Sequence, residues 1–85
     1  LRGGEREIIM KSVNILLKEA QNIKSLVSII NKYPYDIDLR SGRYVVDAKS
    51  ILGIFSLDLS KPVTMEIYSD DCDALLNDIK DFIAK

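Results

Sequence analysis

The chain has 85 residues, a mass of 9.6 kDa and a formal charge of −1, with 47% apolar and 29% charged residues. That length accommodates one hydrophobic core, and the balance is that of a globular domain rather than a disordered segment. The 12 basic and 13 acidic residues are interleaved, so no cationic stripe marks a nucleic-acid footprint. No apolar run approaches the roughly 18 residues that span a bilayer.

The sequence contains no histidine. Every mechanism needing an imidazole from this chain is thereby excluded: Ser-His-Asp and Cys-His hydrolysis, His-ligated zinc, and phosphohistidine transfer. Cys72 is the only cysteine, which rules out an intrachain disulfide and a multi-Cys zinc site. A lone thiol suits a reducing compartment and no secretory leader is recognisable, so a cytoplasmic location is expected.

In chain order, Leu1-Arg2-Gly3-Gly4 reads as a processed leader or expression remnant, leaving 5–85 as a single domain. Residues Ile8 to Leu17 fit both a helical stripe and strand alternation. Their β-branched density favours a strand. Asn22 is a good N-cap, and Ile23, Leu26, Val27 and Ile30 follow at helical spacing, with Pro34 ending the segment. Tyr35, Ile37 and Leu39 alternate with Asp36, Asp38 and Arg40, predicting a strand with one wet face. Ser41-Gly42 supplies a tight turn into a second strand over Arg43–Asp47, giving a hairpin.

Ser50 heads the apolar segment Ile51–Leu57, which predicts an N-capped helix of two turns. Val63, Met65 and Ile67 alternate with Thr64, Glu66 and Tyr68 as the last strand. Ser69-Asp70-Asp71 is expected to cap a final helix with Leu75, Leu76, Ile79, Phe82 and Ile83 on its inner side. The resulting order, β-α-β-β-α-β-α, predicts an α+β sandwich with helices on one face of a mainly antiparallel four-stranded sheet.

Few of these residues suit catalysis. Cys72 falls in the first turn of the last helix, where the dipole would lower its pKa. Asp70, Asp71 and Asp73 oppose a thiolate there, so a structural cysteine is the better reading. The same acids lack the spaced ligands of a calcium loop and read as helix capping, so no metal site is expected. Asp36 and Asp38 read as ordinary carboxylates of a solvated sheet face. Tyr44 and Tyr68 admit a remote comparison with base-stacking sheet aromatics, which the acidic balance disfavours. Ser50 follows Lys49 at a helix start, where a phosphate would gain from the dipole and from Lys49. It would also bring about two negative charges beside Ile51, Leu52 and Phe55. A plain N-cap serine is the competing reading.

The segment Lys49-Ser50-Ile51-Leu52-Gly53-Ile54-Phe55-Ser56-Leu57 resembles HPr, the histidine-containing phosphocarrier of the bacterial sugar phosphotransferase system. In that family a Lys-Ser-Ile-Met-Gly-type segment carries a regulatory serine and opens the short second helix. The likeness extends back through Lys32 to Arg43, and the element order is that of the family's open-faced sandwich. HPr bears its phosphate on the histidine of a His-Ala-Arg-Pro stretch at the head of the first helix. Counting back with Lys32 as anchor, that stretch corresponds to Glu19-Ala20-Gln21-Asn22. Glu19 then occupies the phosphohistidine position and Gln21 the arginine position, and only the alanine is shared.

The resemblance implies the HPr fold without the carrier's phosphate acceptor, and hence neither an enzyme nor a cofactor protein. Related proteins that keep the serine and lose the histidine act as regulators. By that likeness, Ser50 is a substrate of an HPr-type kinase and phosphorylase, and its phosphorylated form binds a catabolite-control transcription factor. Lys49, Ile51, Leu52 and Phe55 would form the partner-binding surface. Ile51, Leu52 and Phe55 serve equally as cover for the sheet, since Ile54 and one of them are expected to face inward. Two alternatives stand beside this reading: an HPr-fold interaction module without phosphate chemistry, and a phosphocarrier by family membership alone.

Overall fold

The computed structural model describes residues 11–84. The elements are β1 (Lys11–Ile15), α1 (Ala20–Ile30), β2 (Ile37–Ser41), β3 (Tyr44–Asp47), α2 (Ile51–Phe55), β4 (Val63–Ile67) and α3 (Asp73–Asp78), followed by a 3₁₀ turn at Lys80–Phe82. The expected strand near the start is present as β1, while Ile8, Ile9 and the leader residues Leu1–Gly4 lie outside the described residues.

The four strands form one sheet in the order β1-β4-β2-β3, with every neighbouring pair antiparallel. Because β4 lies between β1 and β2, those two run parallel and α1 joins them. By the same logic α2 links β3 to the non-adjacent β4, giving two interlocked split βαβ units. The period-two pattern then sorts the side chains. Leu39 pairs with Met65 and Val46, and Val13 also pairs with Met65, so these residues share one face. Ile23, Leu26, Val27 and Ile30 of α1, Ile54 of α2 and Leu75 of α3 close over that face in a single core.

The β2–β3 loop is two residues long, with Gly42 at φ +61° and no other residue at positive φ among those described. That is the signature of a type II′ hairpin, which needs glycine at its first central position. Gly53 is constrained differently. A Cβ there would lie 3.2 Å from Val46 Cβ and 3.3 Å from Ser50 Oγ, a tighter approach of α2 to β3 than a side chain takes without a small shift of its neighbours. Alanine normally favours a helix interior over glycine, but here crowding opposes it. Gly53→Ala is expected to destabilise the protein by about 1 kcal/mol, read from the urea midpoint at unchanged m-value.

Several sequence expectations are corrected. The N-cap of α1 is Glu19, with Asn22 at the third helical position. The Asn22 side chain instead accepts from the Glu19 N–H at 3.1 Å, a task local capping preference does not distinguish from N-capping. Helix α1 ends at Ile30, ahead of Pro34, where Asn31 donates from Nδ2 to the Val27 carbonyl at 2.8 Å. Helix α2 has 5 residues, less than two turns.

The cap of α3 is Cys72, not Ser69-Asp70-Asp71, and it makes no side-chain cap hydrogen bond. Ser69 Oγ instead accepts from the Asp71 N–H within its own turn. The last helix also stops early, at Asp78. The chain then returns to the edge of β1, where Ile83 bridges Ile15, the Leu16 N–H donates to the Phe82 carbonyl and the Ala84 N–H to the Asn14 carbonyl, both at 2.8 Å. An edge strand presents unpaired backbone groups, and satisfying those of β1 outweighs further turns of helix.

The expected wet face of β2 is the largest correction. Asp38 is only 3% exposed, and Glu66, its cross-strand partner, only 7%. Two carboxylates directly opposite one another are unfavourable without compensation. Arg40 supplies part of it, donating from Nε and Nη2 to the two Glu66 oxygens at 3.0 and 3.3 Å, while the Tyr68 hydroxyl donates to Asp38 at 3.1 Å. Tyr68 therefore serves the face opposite the helices. Tyr44 shares the side of Val46, so the two tyrosines form no common stacking platform.

Candidate functional site

Two helix starts carry the candidate residues. Glu19 stands at the head of α1 in extended conformation, and its carbonyl accepts from the Asn22 and Ile23 N–H groups at 2.9 and 3.4 Å. Its carboxylate lies where the helix dipole favours negative charge. Gln21, in the first turn, is exposed. Glu19 and Gln21 thus occupy the helix-head positions inferred from the sequence. Neither imidazole nor guanidinium is present in this turn to accept a phosphoryl group or neutralise it.

Ser50 is the N-cap of α2, with φ −104° and ψ 111°, and its Oγ accepts from the Gly53 N–H at 3.1 Å. The residue is exposed. The loop leading into the helix is held by its neighbours: Lys49 N–H donates to Asp47 Oδ1 at 2.9 Å and Ser50 N–H to the Asp47 carbonyl at 3.0 Å. Lys49 is not poised simply as a phosphate ligand. Its Nζ donates to the Tyr33 carbonyl at 2.6 Å, tying the head of α2 to the loop after α1. An ammonium carries three donors, which leaves two for another acceptor.

Within α2, Ile54 alone enters the core, at 0% exposed. Leu52 is 83% exposed, Phe55 47% and Ile51 37%, so the expectation that one of the three would join Ile54 inside is not met. A helix this short contributes only one side chain to the sheet, because its neighbours on either side point outward. The three apolar members of the candidate partner-binding set consequently form an exposed apolar surface beside Ser50.

Cys72 is buried, and its thiol is pushed up by burial, not lowered by the helix dipole. The structural reading of this cysteine holds. No cluster of three or more metal-ligating side chains occurs among the described residues, and none of the described helices is long and apolar enough to cross a membrane.

Sequence reasoning missed the tie between Tyr33 and Asp78. The Tyr33 hydroxyl donates to Asp78 Oδ2 at 2.5 Å, joining the loop after α1 to α3, and its ring lies 5.7 Å from that of Tyr35. The hydrogen bond to Asp78 is the main reason the Tyr33 pKa is pushed up to about 12. Tyr35 is raised as well, chiefly by burial. Both phenols are held neutral by the fold, so their contribution is complete below the ordinary tyrosine pKa and is lost as pH rises through the folded values. Stability is expected to decline from about pH 10 to about 12, and Tyr33→Phe to flatten that decline. Denaturant melts across this window, paired with ultraviolet titration of the phenols, check the sign.

The family described as "PTS HPr component phosphorylation site" matches residues 10–85. The chain belongs to the HPr family. A crystal structure of HPr-C-His from Thermoanaerobacter tengcongensis superposes with a TM-score of 0.71 at 29% identity, covering 85% of this chain and 89% of that one. A comparison with curated proteins finds no match. The four-stranded antiparallel sheet with its three helices is therefore the HPr open-faced sandwich. This HPr-family chain is a phosphocarrier-like protein related to the sugar phosphotransferase system, a family that acts through contacts with other proteins. The family's description names a phosphorylation site, and the sequence contains no histidine.

Proposed function

We propose that this HPr-family protein is a non-catalytic regulatory or adaptor protein of the cytoplasm that presents α2, headed by Ser50, to a partner protein. The observation that carries this reading is the exposed Ser50 N-cap beside exposed Ile51, Leu52 and Phe55, in a chain without histidine. A phosphoryl group on Ser50 would meet the open N–H groups of the first turn and two remaining Lys49 donors. It would also place charge beside an apolar surface, altering any partner that docks there. An HPr-type kinase and phosphorylase is the fitting modifying enzyme, and a catabolite-control transcription factor the fitting reader.

The test is incubation with an HPr-type kinase and ATP, followed by mass spectrometry of the intact protein. One added phosphate is expected, and none on Ser50→Ala. Loss of the N-cap bond should also cost that variant about 1 kcal/mol, so its fold is verified by circular dichroism. An unmodified Ser50 after this incubation would overturn the regulatory reading. If Ser50→Asp leaves partner binding unaltered, α2 serves instead as a docking surface without phosphate chemistry.

A further inference from the structure

We infer that the open groove next to α2 receives an acidic segment of a partner protein. It lies between the β2–β3 hairpin and the loop joining α2 to β4, and its lining includes Arg40, Arg43 and Lys61. The carboxylate of Asp58 is the only one in that lining, and it is turned into its own loop. Its Oδ1 accepts from the Ser60 N–H and hydroxyl at 3.1 and 2.5 Å. Arg43 and Lys61 are exposed and form no ion pair among the described residues. Arg40 spends Nε and one Nη2 donor on Glu66, leaving three of the five guanidinium N–H groups for a ligand. Glu66 offsets Arg40, yet Arg43 and Lys61 have only Asp58 between them, so the groove is positive in a chain whose net charge is −1.

The shape fits an extended segment of protein. At the rim Tyr44 is 69% exposed, offering an apolar ring and a phenolic donor, and nothing lies within 4 Å of where a Gly42 Cβ would stand. Ser56 both lines the groove and terminates α2, one residue after exposed Phe55. Acidic residues in the groove and an apolar residue on Phe55 would together complement this surface. Three clustered cations and one exposed aromatic ring are too few to track a nucleic-acid backbone with stacked bases. That the occupant belongs to a docking partner rests on the reading of α2 above, whereas the acid-binding groove does not.

The experiment is a titration of the full ¹⁵N-labelled chain with hexaglutamate, with oligothymidine and hexalysine in parallel, at low and high salt. Hexaglutamate is expected to shift the amides of Arg43, Tyr44 and Lys61, and to weaken with salt. The double variant Arg43→Glu/Lys61→Glu should lose at least about tenfold in affinity, and Lys24→Ala, on the exposed side of α1 and outside the groove lining, should lose none. No shift at those amides, equal shifts with oligothymidine, or undiminished binding by the double variant would each overturn the assignment. Failure of Ser50 phosphorylation would leave the hexaglutamate shifts in place, so the two readings fail separately.

Discussion

Ile54→Ala is expected to lower the unfolding free energy by about 2–5 kcal/mol, the range for truncating a fully buried aliphatic side chain. For a domain of this size, whose total stability is on the order of 5–10 kcal/mol, that is a major fraction. Ile54 is the one side chain of α2 that is fully buried, so the loss also loosens the platform that displays Ser50 and Phe55. Leu52→Ala, two residues earlier and 83% exposed, should stay within about 0.5 kcal/mol of the parent. Urea unfolding of both variants, with hydrogen exchange at the Gly53 and Ile54 amides, distinguishes a packed α2 from a frayed one. Equal stabilities for the two would contradict the packing described for this helix.

The second large effect is a gain of function. In the parent chain no phosphate is expected to pass from phosphoenolpyruvate through the general phosphotransferase enzyme, because the sequence contains no histidine and the position we propose as equivalent to the family's phosphohistidine is Glu19. Glu19→His combined with Gln21→Arg restores both side chains at the head of α1. The imidazole would extend from the N-cap and the guanidinium from the first turn, where backbone N–H groups also favour an anion. Acid-labile, base-stable phosphate on the double variant, and none on the parent, is the expected result. Transfer to the parent chain would show that an acceptor other than histidine operates. No transfer to the double variant would mean that the partner enzyme's docking surface has been lost along with the acceptor.

The head of α2 was legible in the residues, that of α1 only in part. Ser50 followed by an apolar run predicted a capped helix, and the cap is present with its bond to Gly53. Glu19 was reached through resemblance, not through capping preference, which pointed to Asn22. Both residues take part in the same first turn, one as cap and one at the third helical position, and their preferences overlap. The outward exposure of Ile51, Leu52 and Phe55 was only half legible. Apolar composition predicts burial, yet the short helix can reach the sheet with Ile54 alone.

By itself the sequence determined whatever depends on residue type and local spacing. It specified the strand and helix segments through their periods of two and 3.6, and the glycine turn of the hairpin. Through the absence of histidine, it also ruled out imidazole chemistry. The tertiary structure alone decided what depends on non-local neighbours. Placing β4 between β1 and β2 brings Asp38 opposite Glu66 and so turns an apparently solvated face into a buried polar network. Ile83 leaves the helical pattern because the edge of β1, some seventy residues earlier, needs backbone partners. Arg40, Arg43 and Lys61 line one groove because the hairpin and the loop after α2 come together in space. Alternation along a strand records which side a residue takes, whereas its partners are set by a register that only the assembled sheet contains.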